Sequence, residues 1–131
     1  DAAICLDVTH ATDSPGLNTA RYGDVKLGKG GCLCFGPACH PNLNARIEYV
    51  VDKTGIPMQR ETSGRTTGTN TDQIFRSRSG VPATNFSLPL RYMHSPVETA
   101  DMADVESMID LLVAFIAELD VKDDFRHKLA L

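Results

Sequence analysis

The apolar and polar positions along the chain divide it into short apolar or alternating runs and two longer stretches with helical spacing. Residues 2–8 (AAICLDV) are almost continuously apolar and broken only by Asp7, which predicts a strand buried on both faces of a sheet. Residues 9–23 turn to Thr, Asp, Pro, Gly and Asn and predict a long loop of the kind that commonly carries function. A weak strand is expected over 24–28, then a glycine-rich GKGG turn and a strand over 32–35. Between residues 41 and 53, Leu43, Ile47, Val50 and Val51 share one helical face, with Pro41 at its start and Gly55 and Pro57 beyond its end. Residues 57–61 predict a short strand, 62–70 a polar loop, and 72–79 a short helix capped by Thr71 or Asp72 and stopped by Gly80 and Pro82. Residues 83–90 (ATNFSLPL) are β-prone, and Pro89 limits them to a strand end, an edge or a bulge. In the last element Val105, Met108, Ile109, Leu112, Phe115, Ile116 and Leu119 recur at helical spacing, with Glu106, Asp110 and Glu118 opposite. Strands alternating with amphipathic helices predict an α/β fold, a mixed or mainly parallel sheet flanked by helices.

A chain of 131 residues, 42% hydrophobic and 23% charged, has the profile of one ordinary globular domain. Thirteen Lys and Arg against seventeen Asp and Glu give a net charge of -4, and the basic residues are scattered, so neither nucleic acid nor an anionic membrane is an expected partner. The longest apolar run, residues 111–117, falls far short of the ~20 residues that span a bilayer, and no leader pattern precedes the first strand. A cytoplasmic protein is expected. Because the chain opens at Asp1 and enters a strand almost at once, it is also expected to be part of something longer.

Cys32, Cys34, Cys39 and His40 offer soft ligands close together, but they lack the paired C-x2-C knuckle of most structural zinc sites. Reduced thiols are the favoured reading, with Cys5 buried in its strand as a small hydrophobe.

In open α/β sheets ligands bind beyond the carboxyl ends of the strands, which directs attention to two residues. Asp7 lies near the end of an apolar strand, where a carboxylate needs a partner, and His94 follows the 83–90 strand in a Pro-bounded turn with Arg91, Tyr92 and Ser95. Taken alone, Asp7 reads more readily as a loop organiser and His94 as a hydrogen-bonded surface residue. Together they form an oxygen and nitrogen pair suited to a divalent ion, although two ligands do not complete a site. His10 and Asp13 read as loop-organising groups, Glu98, Asp101 and Asp104 as helix N-terminal charges, and His127 as a solvated tail residue. Gly28, Gly30 and Gly31 are too loose a pattern for a phosphate loop, and no two acids pair at strand ends.

The ordered segments AICLDVTHATDSPG, VKLGKG, GIPMQ, GTNTDQI and GVPATNFSLPLRYMHSPVE, with the DVE-led helix after them, resemble the M42 family of metallo-aminopeptidases, over Ala3 to about Leu119. That family includes glutamyl aminopeptidases and proteins once labelled endoglucanases. The resemblance implies the C-terminal part of a phosphorylase/hydrolase-like catalytic domain over residues 1–131, and a parent protein that removes N-terminal residues from peptides with two divalent metals, zinc or cobalt. Asp7 in LDVTH matches the family's terminal Asp ligand and His94 in RYMHSP its last His ligand, one on each ion. Asp72 matches a segment beside the substrate pocket. The early His ligand, the bridging Asp, the adjacent Glu pair that includes the general base, and an inserted β domain are implied upstream of Asp1, so the chain alone is expected to be inactive. The resemblance also implies a homo-oligomer, such as a dodecamer. The alternatives are a carboxylate-pair glycoside hydrolase and a non-catalytic interaction module.

Overall fold

A computed structural model describes residues 1–126; His127 lies outside the described residues. The elements are β1 (Ala3–His10), α1 (Thr19–Tyr22), β2 (Gly31–Phe35), α2 (Pro41–Thr54), β3 (Met58–Thr62), α3 (Thr71–Ile74), β4 (Ala83–Leu90) and α4 (Met102–Ala117). The four strands form one mixed sheet in the order β1-β4-β2-β3. β1 is parallel to β4 and β2 to β3, while β2 runs antiparallel to β4. The expected helix-flanked α/β architecture is therefore present.

The registers divide the sheet into two unlike faces. Leu33 stands opposite Phe86, and both join Leu43, Ile47 and Val50 of α2 and Met108, Leu111 and Phe115 of α4 in one buried core. The alternate phase carries Cys32, Cys34, Asn85 and Ser87, all buried, together with Asp7 and Glu61. Pro89 pairs with Thr9 of β1, and the β2 pairing covers only Cys32 and Leu33, so its missing N–H leaves no gap in that ladder.

Five elements depart from the sequence expectation. β1, expected to be buried on both faces, is an edge strand with Leu6 58% exposed, and the short helix α1 interrupts the loop expected over 9–23. No strand forms over 24–28; Val25 is buried, but its backbone meets Thr12, whose amide donates to the Val25 carbonyl and whose hydroxyl accepts the Val25 amide. The helix expected over 72–79 is a single turn, α3, followed by turns that Arg78 and Gly80 enter with positive φ. α4 is rotated relative to its expected face: Asp104, Ser107, Met108, Leu111 and Phe115 are buried, whereas Ile109, Val113 and Ile116 are exposed. A helix apolar on more than one side does not determine its own rotation, and here Asp104 sets it. Its buried carboxylate accepts the amides of Gly28 and Gly30 at 2.8 and 2.6 Å, so the glycine turn is closed by this chain's own anion. Gly30 has φ 93°, and a Cβ there would lie 2.2 Å from the Pro57 carbonyl oxygen. Asp101, by contrast, is a conventional N-cap that accepts the Ala103 amide. No helix among the described residues is long and apolar enough to cross a membrane.

Candidate active site

Parallel pairing of β1 with β4 in continuous register, ending at His10↔Leu90, sends the loops after both strands out from one edge of the sheet. A two-pronged ion pair ties those loops together. Arg91 donates from Nη2 to Oδ2 of Asp13 at 2.7 Å and from Nε to Oδ1 at 3.0 Å, and the Leu27 amide adds a contact to Asp13 at 3.3 Å. The Arg91 guanidinium holds the Asp13 carboxyl below its ordinary range, against a smaller opposing effect of burial. Asp13 thus has the loop-organising role read from the sequence, and His10 is exposed at the end of β1.

Beyond β4 the RYMHSP segment closes on itself. Arg91 and Thr99 exchange backbone hydrogen bonds of 2.9 and 3.1 Å, and Ser95 Oγ donates to the Tyr92 carbonyl at 2.6 Å. Tyr92 and His94 have φ of 58° and 64°, a region that side chains other than Gly seldom occupy and that persists where surrounding contacts enforce it. Glu98 supplies one such contact by accepting the His94 amide, so it serves this loop rather than the start of α4. The imidazole of His94 is exposed and makes no hydrogen bond among the described residues.

Asp7 lies inside β1, because Thr9 and His10 extend the ladder opposite Pro89 and Leu90. Its side chain shares the polar face with Ser87, and Oδ1 accepts the Val8 amide at 2.8 Å. Asp7 and His94 supply an oxygen and a nitrogen donor of the types that hold zinc and similar ions. Among the described residues no three His, Cys, Asp or Glu gather to hold a metal, so these two fit such an ion only with ligands from elsewhere.

Sequence reasoning missed Glu61. Burial raises its carboxyl above the ordinary range, hydrogen bonds from Thr9, Ser87 and Asn85 work against that rise, and the charge of Asp7 adds to it. Ser87 Oγ donates to Oε1 at 2.8 Å and in turn accepts Asn85 Nδ2 at 2.6 Å. Two acids therefore do approach each other on the polar face. The available signal was the alternation in MQRET, which puts Gln59 and Glu61 in the phase of Cys32 and Cys34, and it is intelligible only once the strand order is known.

Asp72 organises its own loop. Oδ1 accepts the Thr67 amide and Oδ2 the Gly68 amide, each at 2.9 Å. Burial raises its pKa, but these amides, the Thr67 hydroxyl and Arg76 together bring it below the ordinary value. Among the cysteines, Cys32, Cys34 and Cys39 are buried and free, whereas Cys5, expected to be buried, is only half so because β1 is an edge strand.

A helix-flanked mixed sheet of this kind is shared with solved aminopeptidases. The TET aminopeptidase of the marine sediment archaeon Thaumarchaeota archaeon SCGC AB-539-E09 superposes with TM-score 0.84 at 30% identity, over 93% of this chain and 34% of that one. The Pyrococcus horikoshii TET1 peptidase, which can assemble into a tetrahedron or a large octahedral shell, superposes with TM-score 0.65 at 28% identity, over 89% of this chain and 34% of that one. The lysyl aminopeptidase of Pyrococcus furiosus is 38% identical over 123 residues, 94% of this chain and 35% of that protein. The family profile described as M42 glutamyl aminopeptidase matches residues 1–111, and the chain belongs to that family. It spans about a third of the length of the curated relatives it matches.

Proposed function

We propose that this chain is the C-terminal part of the catalytic domain of a di-metal aminopeptidase that removes N-terminal residues from peptides. The observation that carries this reading is the in-register β1 and β4 pair, which brings the strand bearing Asp7 and the loop bearing His94 to one edge, where Arg91 and Asp13 join the loops. Asp7 and His94 each hold one of two divalent ions, zinc or cobalt, with the remaining ligands and the general-base Glu contributed by polypeptide outside residues 1–131. When bound, the ions polarise the scissile carbonyl and acidify the attacking water. The positive φ of His94 and the Glu98 contact to its amide aim the imidazole, and the Ser87 and Asn85 relay positions Glu61 near Asp7. Asp72 contributes to the substrate pocket by holding the Thr67 and Gly68 turn, since both its oxygens are engaged there.

The test is made in the complete protein. Asp7→Asn and His94→Ala are each expected to lower bound metal from two ions toward one, read by elemental analysis, and to lower hydrolysis of aminoacyl anilides by about a hundredfold. Full metal content with unchanged rates in either variant overturns the ligand assignment. Residues 1–131 alone, supplied with Zn²⁺ or Co²⁺, are expected to show no turnover, and robust turnover would refute the view of a partial site. A homo-oligomeric parent is supported by the shells described for the P. horikoshii relative.

A further inference from the structure

Away from the edge of Asp7 and His94, the chain leaving β2 makes a tight turn before α2 begins at Pro41. Cys39 donates its amide to the Gly36 carbonyl at 3.0 Å, and the His40 amide reaches the Ala83 carbonyl at 2.7 Å, which fixes this turn against the start of β4. No side chain fits at Gly36, where a Cβ would lie 2.2 Å from the Ser63 carbonyl oxygen. β2 and β4 pair only through Cys32 and Leu33, so the Asn85 backbone amide is left to point at the Cys39 sulfur, where the Cys34 thiol also donates, while the Thr84 hydroxyl gives its proton to Asn44 Oδ1. Cys34 lies slightly deeper, 3% exposed. Cys39 is itself only 7% exposed, yet it lines an open cavity of about 420 Å³ with Ala38, His40, Phe75, Val81 and Pro82. Two thiols in hydrogen-bond contact thus stand one behind the other, and the front one opens on a cavity.

We propose that Cys39 and Cys34 form a reactive dithiol, in which Cys39 attacks small disulfides of the glutathione type entering this cavity and Cys34 resolves the adduct. In the first step Cys39 gives its proton to solvent, its thiolate forms a bond to one sulfur of the disulfide, and the other sulfur departs as a thiolate. In the second, the Cys34 sulfur attacks Cys39, a Cys34–Cys39 bond forms, and the remaining small thiol leaves with the Cys34 proton. Two protein thiols are oxidised by two electrons and one disulfide is reduced to two thiols.

The environment is consistent with those roles. The donors around Cys39 favour its thiolate, the hydrogen bond from Cys34 foremost, against burial and the charge of Glu61, while Cys34, which supplies that hydrogen bond, is held protonated. Once Cys39 carries an adduct, the thiolate that held the Cys34 proton is gone, and Cys34 is released to attack. Cys32 has only a long contact from Gln59 Nε2 at 4.0 Å, and burial together with Glu61 and Asp104 keeps it a thiol. This proposal does not depend on the peptidase reading.

The experiment treats the folded full chain with oxidised glutathione, followed by acid quenching and peptide mass spectrometry. Lys29 and Arg46 bracket Cys32, Cys34 and Cys39 in one tryptic peptide, so a Cys32→Ser background is used to assign the bond. The expected result is a peptide short of two hydrogens in that background. With Cys34→Ser added, a glutathione adduct should accumulate on Cys39, and with Cys39→Ser neither the bond nor the adduct should form there. In the unsubstituted chain, Cys39 should react roughly tenfold or more faster than Cys32, as expected of a thiolate against a buried thiol. Reaction of Cys39 only after addition of urea, or an adduct that appears first on Cys34, would overturn the proposal even if a variant failed to fold.

Discussion

The two faces of the sheet are made from alternate residues of the same strands and solve opposite problems. Phe86 and Leu33 point to α2 and α4, where burial needs only shape and apolar contact. Ser87, Asn85, Cys34 and Glu61 point the other way, where buried polar groups call for partners; Asn85 is chained to Ser87 and Ser87 to Glu61, while Asn85 Oδ1 has no hydrogen-bond partner among the described residues. The first face holds the fold together. The second carries the groups with shifted proton affinity, namely the raised Glu61 carboxyl and the Cys34 thiol with its neighbour Cys39. Perturbed titrating groups gather on functional surfaces for this reason: a buried polar network stabilises the fold less and shifts proton affinities more.

Substitution of consecutive residues in β4 separates the two contributions. Phe86→Ala should lower unfolding stability by about 3–5 kcal/mol in urea titration, as deletion of a large buried ring does. Ser87→Ala should have a smaller effect, about 1–3 kcal/mol, from the hydrogen bonds lost at Glu61 and Asn85. If Ser87→Ala were the more damaging, the assignment of stability to the apolar face would fail. Asp104→Ala should fall in a similar range, about 1–3 kcal/mol for a buried amide left without its acceptor, and amide exchange at Gly28 and Gly30 should accelerate with it.

The loop tie at the active-site edge gives a pH-dependent effect. The folded Asp13 carboxyl titrates below its unfolded value of 3.8, so its contribution is complete above that pH and is lost as the pH falls through the lower folded value. Protection of the Leu27 amide, relative to its intrinsic exchange rate, should therefore fall as the pH drops below 3.8 in the parent chain, whereas in Asp13→Asn it should already be low at neutral pH. An unchanged Leu27 rate in that variant would detach the two loops from each other. The smallest effect is expected on the outer side of α4, where Ile116 is 65% exposed: Ile116→Ser in this chain should change stability by no more than about 0.5 kcal/mol.

Local patterning made the main elements legible. The helix expected over 41–53 is α2, punctuated by Pro41 and Gly55, and the strand expected over 83–90 coincides with β4. Asp7 and His94 were legible as candidates because each interrupts or follows an apolar run. The motifs around them carried the family resemblance, and the match over residues 1–111 bears it out. Glu61 was not legible, since an acid in a short polar-looking strand is unremarkable until β3 is known to lie beside β2.

By itself the amino-acid sequence determined the two long helices, the main strands and the family the chain belongs to, because these depend on periodicity and on ordered motifs. Tertiary structure alone decided the strand order, the rotation of α4 about Asp104, the approach of Glu61 to Asp7 and the contact of Cys39 with Cys34. Those outcomes depend on which distant segments share a register or meet across a turn. A residue's neighbours along the chain carry its local geometry, but they do not carry the desolvation and charge that its neighbours in space impose.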